Sequence, residues 1–195
     1  VDEKKLITYS ISVKEAILDP HIGALRLHDI VERVSPRLII AEKPLTSHAS
    51  VIFEDLTSGG SGDSSAGSAP MDIEQAADIL FTTGTTGRPK GVILSHRALA
   101  TACAHINEFI GIRADAVEVL PLPLSHSFGL GRVRCVLAAG GSLVLLPGFV
   151  NASKIFEALE NYRATGFASV PTGVAILLSD RGQALHRFSG QLQYI

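Results

Sequence analysis

Apolar positions along the chain follow two rhythms, one of helices and one of strands. Leu27, Ile30, Val31 and Val34 recur at helical spacing. This predicts a helix over residues 23–34, which Pro36 stops because it lacks the amide the next turn needs. The run 37–41, Arg-Leu-Ile-Ile-Ala, is then predicted as a strand. Further on, 78–82 and the β-branched run 92–94 predict two strands, with residues 83–91 as the loop between them. Ser95 is placed to cap a helix whose Leu99, Ala102, Cys103, Ile106, Phe109 and Ile110 form one stripe, and Gly111 to end it. Residues 117–120 read as a buried strand running into the proline-broken segment 121–129. A helix over 132–139, a strand over 142–146, an amphipathic helix over 151–164 and a strand over 166–170, stopped by Pro171, complete the pattern. Strands alternating with helices predict βαβ units, hence an α/β fold with a mainly parallel sheet and flanking helices.

Residues 57–70 break the rhythm. They are almost all Gly, Ser, Ala and Thr, which offer little apolar area to offset the entropy of ordering. This stretch is expected to be a flexible surface loop within one domain, a domain linker being the other reading. The 18% content of charged residues and mean hydropathy of +0.30 suit strands covered on both faces.

Charge and cysteine content narrow the partners. A net charge of -2 gives no polyanion-binding surface, so nucleic acid is not expected as a partner. Cys103 and Cys135 stand in apolar helical stretches without metal-ligand spacing, and are read as buried thiols of a reducing compartment, which points to the cytoplasm. The first ten residues lack the apolar core of an export signal. The most apolar stretch, 133–150, is broken by Gly140, Gly141, Pro147 and Gly148, so no membrane span is expected. His21, His28, His48, His96, His105 and His186 form no set with metal-ligand spacing, and no protein-only metal site is assigned.

The chemistry concentrates in residues 82–91. Thr82, Thr83, Thr85 and Thr86 put four hydroxyls around Gly84 and Gly87 at the end of a strand, where glycines let backbone amides turn toward an anion. Lys90 adds a compact charge on a flexible stem, able to follow a phosphate as its charge redistributes. Gly84 to Lys90 has the glycine-to-lysine spacing of a Walker A loop. That reading fails because Pro89 replaces the second glycine, Gly91 replaces the magnesium-binding hydroxyl, and a β-branched run follows in place of a helix. A Thr/Gly-rich surface turn without a ligand is the plainer alternative.

The run Phe81-Thr-Thr-Gly-Thr-Thr-Gly-Arg-Pro-Lys-Gly-Val92, followed by Ser95-His96, resembles the signature of the adenylate-forming superfamily. That superfamily includes acyl-CoA synthetases, aryl-CoA ligases, luciferases and the adenylation domains of peptide synthetases. The match is long enough to outweigh the plain surface turn. It implies that Lys90 and Thr82, Thr83, Gly84, Thr85, Thr86 and Gly87 hold the β- and γ-phosphates of ATP, with Lys90 also catalytic. A second segment, Leu120-Pro-Leu-Pro-Leu-Ser-His-Ser-Phe-Gly-Leu130, resembles the family stretch at the acyl pocket. The resemblance implies that His126 is catalytic and lies near the substrate carboxylate and α-phosphate, and that Phe128 and Gly129 shape the pocket. A hydrolase reading of Ser125 and His126 is set aside, since adjacent residues on an extended chain point apart and no GxSxG elbow occurs. Arg132 and Arg134 are expected as solvated charges on a helix face.

Weaker likenesses are 17–20 with the helix after it, which resemble the family's early strand and helix, 169–172, which resembles a Val-Pro-Thr turn, and 192–195, which resembles the strand leading to the next motif. Residues 1–16 match poorly. The resemblance as a whole implies an incomplete large domain of an adenylate-forming enzyme spanning 1–195, without the small C-terminal domain. It implies a ligase that joins a small-molecule carboxylic acid to AMP at the expense of MgATP and passes the acyl group to coenzyme A or a carrier-protein thiol. On this reading the isolated fragment is expected to be inactive. The alternative is a non-catalytic nucleotide- or partner-binding remnant.

Overall fold

The computed structural model describes residues 16–19, 21–41, 45, 50–52, 72–82, 89–149, 151–179 and 185–195. The Gly/Ser-rich stretch 57–70 and the segment 83–88 lie outside them. The chain divides into two compact units, one comprising Val1–Ser12, Pro20–Met71 and Thr83–Pro89, the other Val13–Asp19, Asp72–Thr82 and Lys90–Ile195.

In the first unit, helix α1 (Ala24–Val34) ends on Ser35, whose left-handed backbone (φ 46°) turns its amide back to the Val31 carbonyl just before Pro36. Ile30 is buried. Strands β1 (Ile40–Ala41) and β2 (Val51–Ile52) pair in parallel. Residues 37–39, predicted as strand, lie outside the ladder. Arg33 Nη1 donates to the Pro89 carbonyl at 2.6 Å and pairs with Asp29 one turn earlier.

The second unit opens with residues 17–19, which carry no regular structure, so no early strand forms there. An antiparallel hairpin follows, strands β3 (Ala76–Thr82) and β4 (Lys90–Ser95), with Thr82 opposite Lys90 and Phe81 opposite Gly91. Lys90 and Gly91, predicted in the loop, belong to the strand. A register shift between Ala76 and Asp78 bends its far end. Ser95 caps helix α2 (His96–Ile110) as predicted, its side chain accepting from the Ala98 amide, and Gly111 closes the helix in the left-handed region at φ 74°. Two further amides of the first turn donate to strand-side carbonyls, His96 N to Gln75 and Arg97 N to Ile73.

Strand β5 (Val117–Leu120) lies at the centre of a parallel sheet, between β6 (Ser142–Leu145) and β7 (Gly166–Phe167). Tyr194 extends the order by one parallel bridge beside Gly166. The helices of this half are α3 (Ser127–Ala138), α4 (Ala152–Asn161) and α5 (Pro171–Ser179). Helix α3 begins five residues before the predicted start at 132. Helix α5 replaces the predicted turn at 171, with proline at its first position, where a missing amide costs nothing.

The core gathers Val119, Ile155, Leu159, Phe167 and Leu177, with Phe149 set edge-on to Phe167 at 6.0 Å. Each such side chain contributes roughly 1.5–3 kcal/mol on burial. The α/β expectation therefore holds, with a parallel sheet, flanking helices and an antiparallel hairpin beside them. Cys135 is buried and Cys103 only partly so, both as free thiols. Burial, then the neighbouring Cys103, pushes the Cys135 thiol up to about 12. No helix among the described residues is long and apolar enough to cross a membrane.

Candidate functional site

The described residues of the predicted site fall into two groups on the second unit. The first stands at the end of the hairpin where β3 runs out and β4 begins, and register puts Thr82 and Lys90 on facing strands. The Thr82 hydroxyl donates to the Lys90 carbonyl at 3.4 Å, and both side chains are exposed. Gly91 lies close under Ile79 and Phe81: a Cβ there would meet Ile79 Cγ2 at 3.1 Å and Phe81 Cε1 at 3.2 Å, so a larger residue would press on both side chains. Thr83, Gly84, Thr85, Thr86 and Gly87 lie outside the described residues.

The second group sits at the start of α3. The prolines at 121 and 123 keep that segment out of helix until His126, which occupies the N-cap in extended backbone. The His126 ring makes no capping hydrogen bond and is exposed, as is Phe128. Gly129 is buried, and a Cβ there would stand 2.3 Å from the Pro123 carbonyl oxygen. Its role visible in the fold is thus to let the first turn of α3 close onto the proline segment. A cavity of about 430 Å³ lies elsewhere, between Leu178, Leu185, Phe188, Leu192 and Tyr194, and none of the predicted site residues lines it.

What joins these groups is a set of buried charges that contradicts the expectation of solvated arginines. Arg132 is 4% exposed and forms a two-pronged pair with Glu118 at the centre of β5, its Nε donating to Oε1 at 3.0 Å and its Nη2 to Oε2. The Tyr194 hydroxyl donates to the same carboxylate at 2.9 Å. Burial and then the Glu118 charge push the tyrosine pKa up. For Arg132, burial opposes the charged form, and the Glu118 hydrogen bonds and charge overcome it, so its pKa rises. Arg134 points the other way and pairs with Asp78 of β3, Nη2 to Oδ2 at 2.5 Å. Asp78 is 2% exposed, and burial raises its pKa against the lowering pull of Arg134 and His96.

The physical reason for the correction is economy of charge. A carboxylate in a buried strand must be paired, and the nearest helix supplies the partners. The signal was present in the sequence, since Asp78 and Glu118 each interrupt an apolar strand run.

The sequence from residue 9 to residue 195 matches the AMP-binding enzyme family. The chain belongs to that family. Among its relatives, 4-coumarate–CoA ligase-like 9 of Arabidopsis thaliana is 38% identical over 126 residues, covering 62% of this chain and 22% of that protein. The nonribosomal peptide synthetase ivoA of Emericella nidulans is 27% identical over 177 residues, covering 86% of this chain and 10% of that protein. ATP-bound MatB from Rhodopseudomonas palustris superposes with a TM-score of 0.76 at 24% identity, covering 91% of this chain and 38% of that one. MenE from Bacillus subtilis, an O-succinylbenzoate coenzyme A synthetase in complex with AMP, gives 0.74 at 19%, covering 86% and 45%. These two structural likenesses show the fold. The chain thus spans about a fifth of the plant relative and under half of either solved structure.

Proposed function

We propose that the full-length protein activates a carboxylic acid with ATP. A carboxylate oxygen attacks the α-phosphorus, the bond to the bridging oxygen breaks, and acyl-AMP and pyrophosphate form. A thiol then displaces AMP. Because the relatives include both a coenzyme A ligase-like protein and a peptide synthetase, the acceptor is coenzyme A or a carrier-protein thiol. The observation that carries this reading is the family match over a run whose two ends, Thr82 and Lys90, face each other on adjacent strands.

In the proposed arrangement Lys90 and the threonine and glycine residues 82–87 hold the triphosphate tail, and His126 approaches the carboxylate from the start of α3, beside Phe128 and Gly129. Phosphoryl chemistry needs positioning and charge stabilisation more than covalent participation, so a lysine, hydroxyls and amides suffice. Magnesium enters with the triphosphate. Among the described residues no three His, Cys, Asp or Glu side chains gather to hold an ion.

The test is exchange of labelled pyrophosphate into ATP by the full-length protein across a panel of carboxylic acids. Acid-stimulated exchange is the expected result. ATP binding without exchange under any acid would favour instead a nucleotide-binding protein without turnover.

A further inference from the structure

We propose that Asp78 and Arg134 are positioning residues that fix the hairpin carrying Thr82 and Lys90 against the helix that begins at His126. This rests on the adenylation reading for its consequence, though not for its geometry.

Asp78 and Thr82 lie four residues apart on β3 and therefore on one face of the strand. On α3, Arg132 and Arg134 are two residues apart and so project to nearly opposite sides. One side is tied to the parallel sheet through Glu118, the other to the hairpin through Asp78. A third tie comes from α2, where Asn107 Nδ2 donates to the Cys135 carbonyl at 2.8 Å.

The Asp78–Arg134 pair runs between β3 and α3. The pairing is worth little as glue, since replacing both members of a buried ion pair with apolar residues is often neutral for stability. A fixed distance is what two charges held at 2.5 Å supply and a pair of apolar side chains does not. Misplacing reacting groups by about 1 Å can cost on the order of a hundredfold in rate.

The experiment compares Arg134→Met, Arg134→Lys and the double variant Asp78→Leu with Arg134→Met in the full-length protein. Arg134→Met leaves a buried carboxylate alone and should lower both melting temperature and acid-dependent exchange. The double variant should recover the melting temperature while exchange stays down by roughly a hundredfold and the Michaelis constant for ATP changes little. Arg134→Lys, which keeps the charge, should recover part of the rate. Recovery of rate together with stability in the double variant would reduce the pair to a structural role and overturn the proposal. Amide hydrogen exchange provides a second arm independent of turnover. In the double variant the hairpin amides of 76–82 and 90–95 should exchange faster while those of β5 stay protected, and an unchanged hairpin would overturn the proposal. If the wild-type protein shows no pyrophosphate exchange, the adenylation reading fails by itself, and the amide exchange still decides the coupling.

Discussion

The parallel sheet and the β3–β4 hairpin are built on opposite terms. In the sheet, Val119, Leu120 and Phe167 are fully buried; α4 packs Ile155 and Leu159 against Val119 and Phe167, while Leu120 packs with Val133 of α3. In the hairpin, Val92 is 45% and Ile93 65% exposed, and the α2 helix after it has no buried residue at all. Yet the residues with the most chemistry, Thr82 and Lys90, stand on the hairpin. Apolar burial anchors one region. The other buries only Ala77 and Leu80 of its apolar side chains and adds directional ties: a buried ion pair, a serine cap and two amides docked on the carbonyls of residues 73 and 75. The lesson is that stability and chemistry can be perturbed separately here.

The largest effect should come from the sheet. Phe167→Ala removes a fully buried ring and should cost about 3–5 kcal/mol of stability. Ile93→Ala on the hairpin should stay within about 0.5 kcal/mol. Denaturant midpoints of the two variants check the contrast. Equal losses would mean that the exposed hairpin face is covered in the full-length protein, and the comparison would break.

Next in size is a change that touches rate alone. Lys90→Ala should slow acid-dependent pyrophosphate exchange by about 100- to 1,000-fold, the usual loss when one preorganised charge or donor is removed. Its melting temperature should not move, because Lys90 is exposed at a strand end. A full exchange rate at saturating acid would remove Lys90 from the mechanism.

How much of this was legible in the sequence follows the same divide. Periodicity located β5, β6, α4, the Ser95 cap and the Gly111 stop, because each rests on local spacing or on one backbone requirement. It missed the early start of α3, since Ser127 to Gly131 looks like a continuation of the proline segment and carries two glycines. It missed α5 because Pro171–Ser179 is apolar on all sides and shows no helical contrast. At the site, the Thr/Gly pattern of residues 82–91 carries the family resemblance in the sequence alone. The pairing of Arg132 with Glu118 and Arg134 with Asp78 could not be read there, because partners 14 and 56 residues apart become neighbours only through the crossover of α3 between sheet and hairpin.

Asp78 gives the comparison a pH axis. Burial raises its pKa above the ordinary 3.8 despite Arg134 and His96. As pH falls, the folded protein takes up this proton before the unfolded chain does. The group's contribution is therefore fully present below the unfolded value and is lost as pH rises through the folded one. Relative to Asp78→Asn, the wild type should lose stability with rising pH across the carboxylate range, with a slope no steeper than about 1.4 kcal/mol per pH unit, the limit for one proton. Urea midpoints at several pH values measure it. A difference that grows in favour of the wild type as pH rises would reverse the assignment.

The smallest effects separate the two regions most finely. Ser95 caps α2 by accepting from the Ala98 amide, and Asn151 caps α4 by accepting from the Ser153 amide at 2.9 Å. Either cap replaced by alanine should cost about 1 kcal/mol. The loss should be felt differently. Helix α4 buries Ala152, Ile155, Ala158 and Leu159, so it cannot fray without opening the core, and Asn151→Ala should lower the global unfolding midpoint. Helix α2 has no buried residue to resist fraying, so Ser95→Ala should leave the midpoint nearly unchanged and speed amide exchange in residues 96–99 alone. Since β4 runs straight into that cap, a local opening there would loosen the strand that carries Lys90 before it disturbed the sheet.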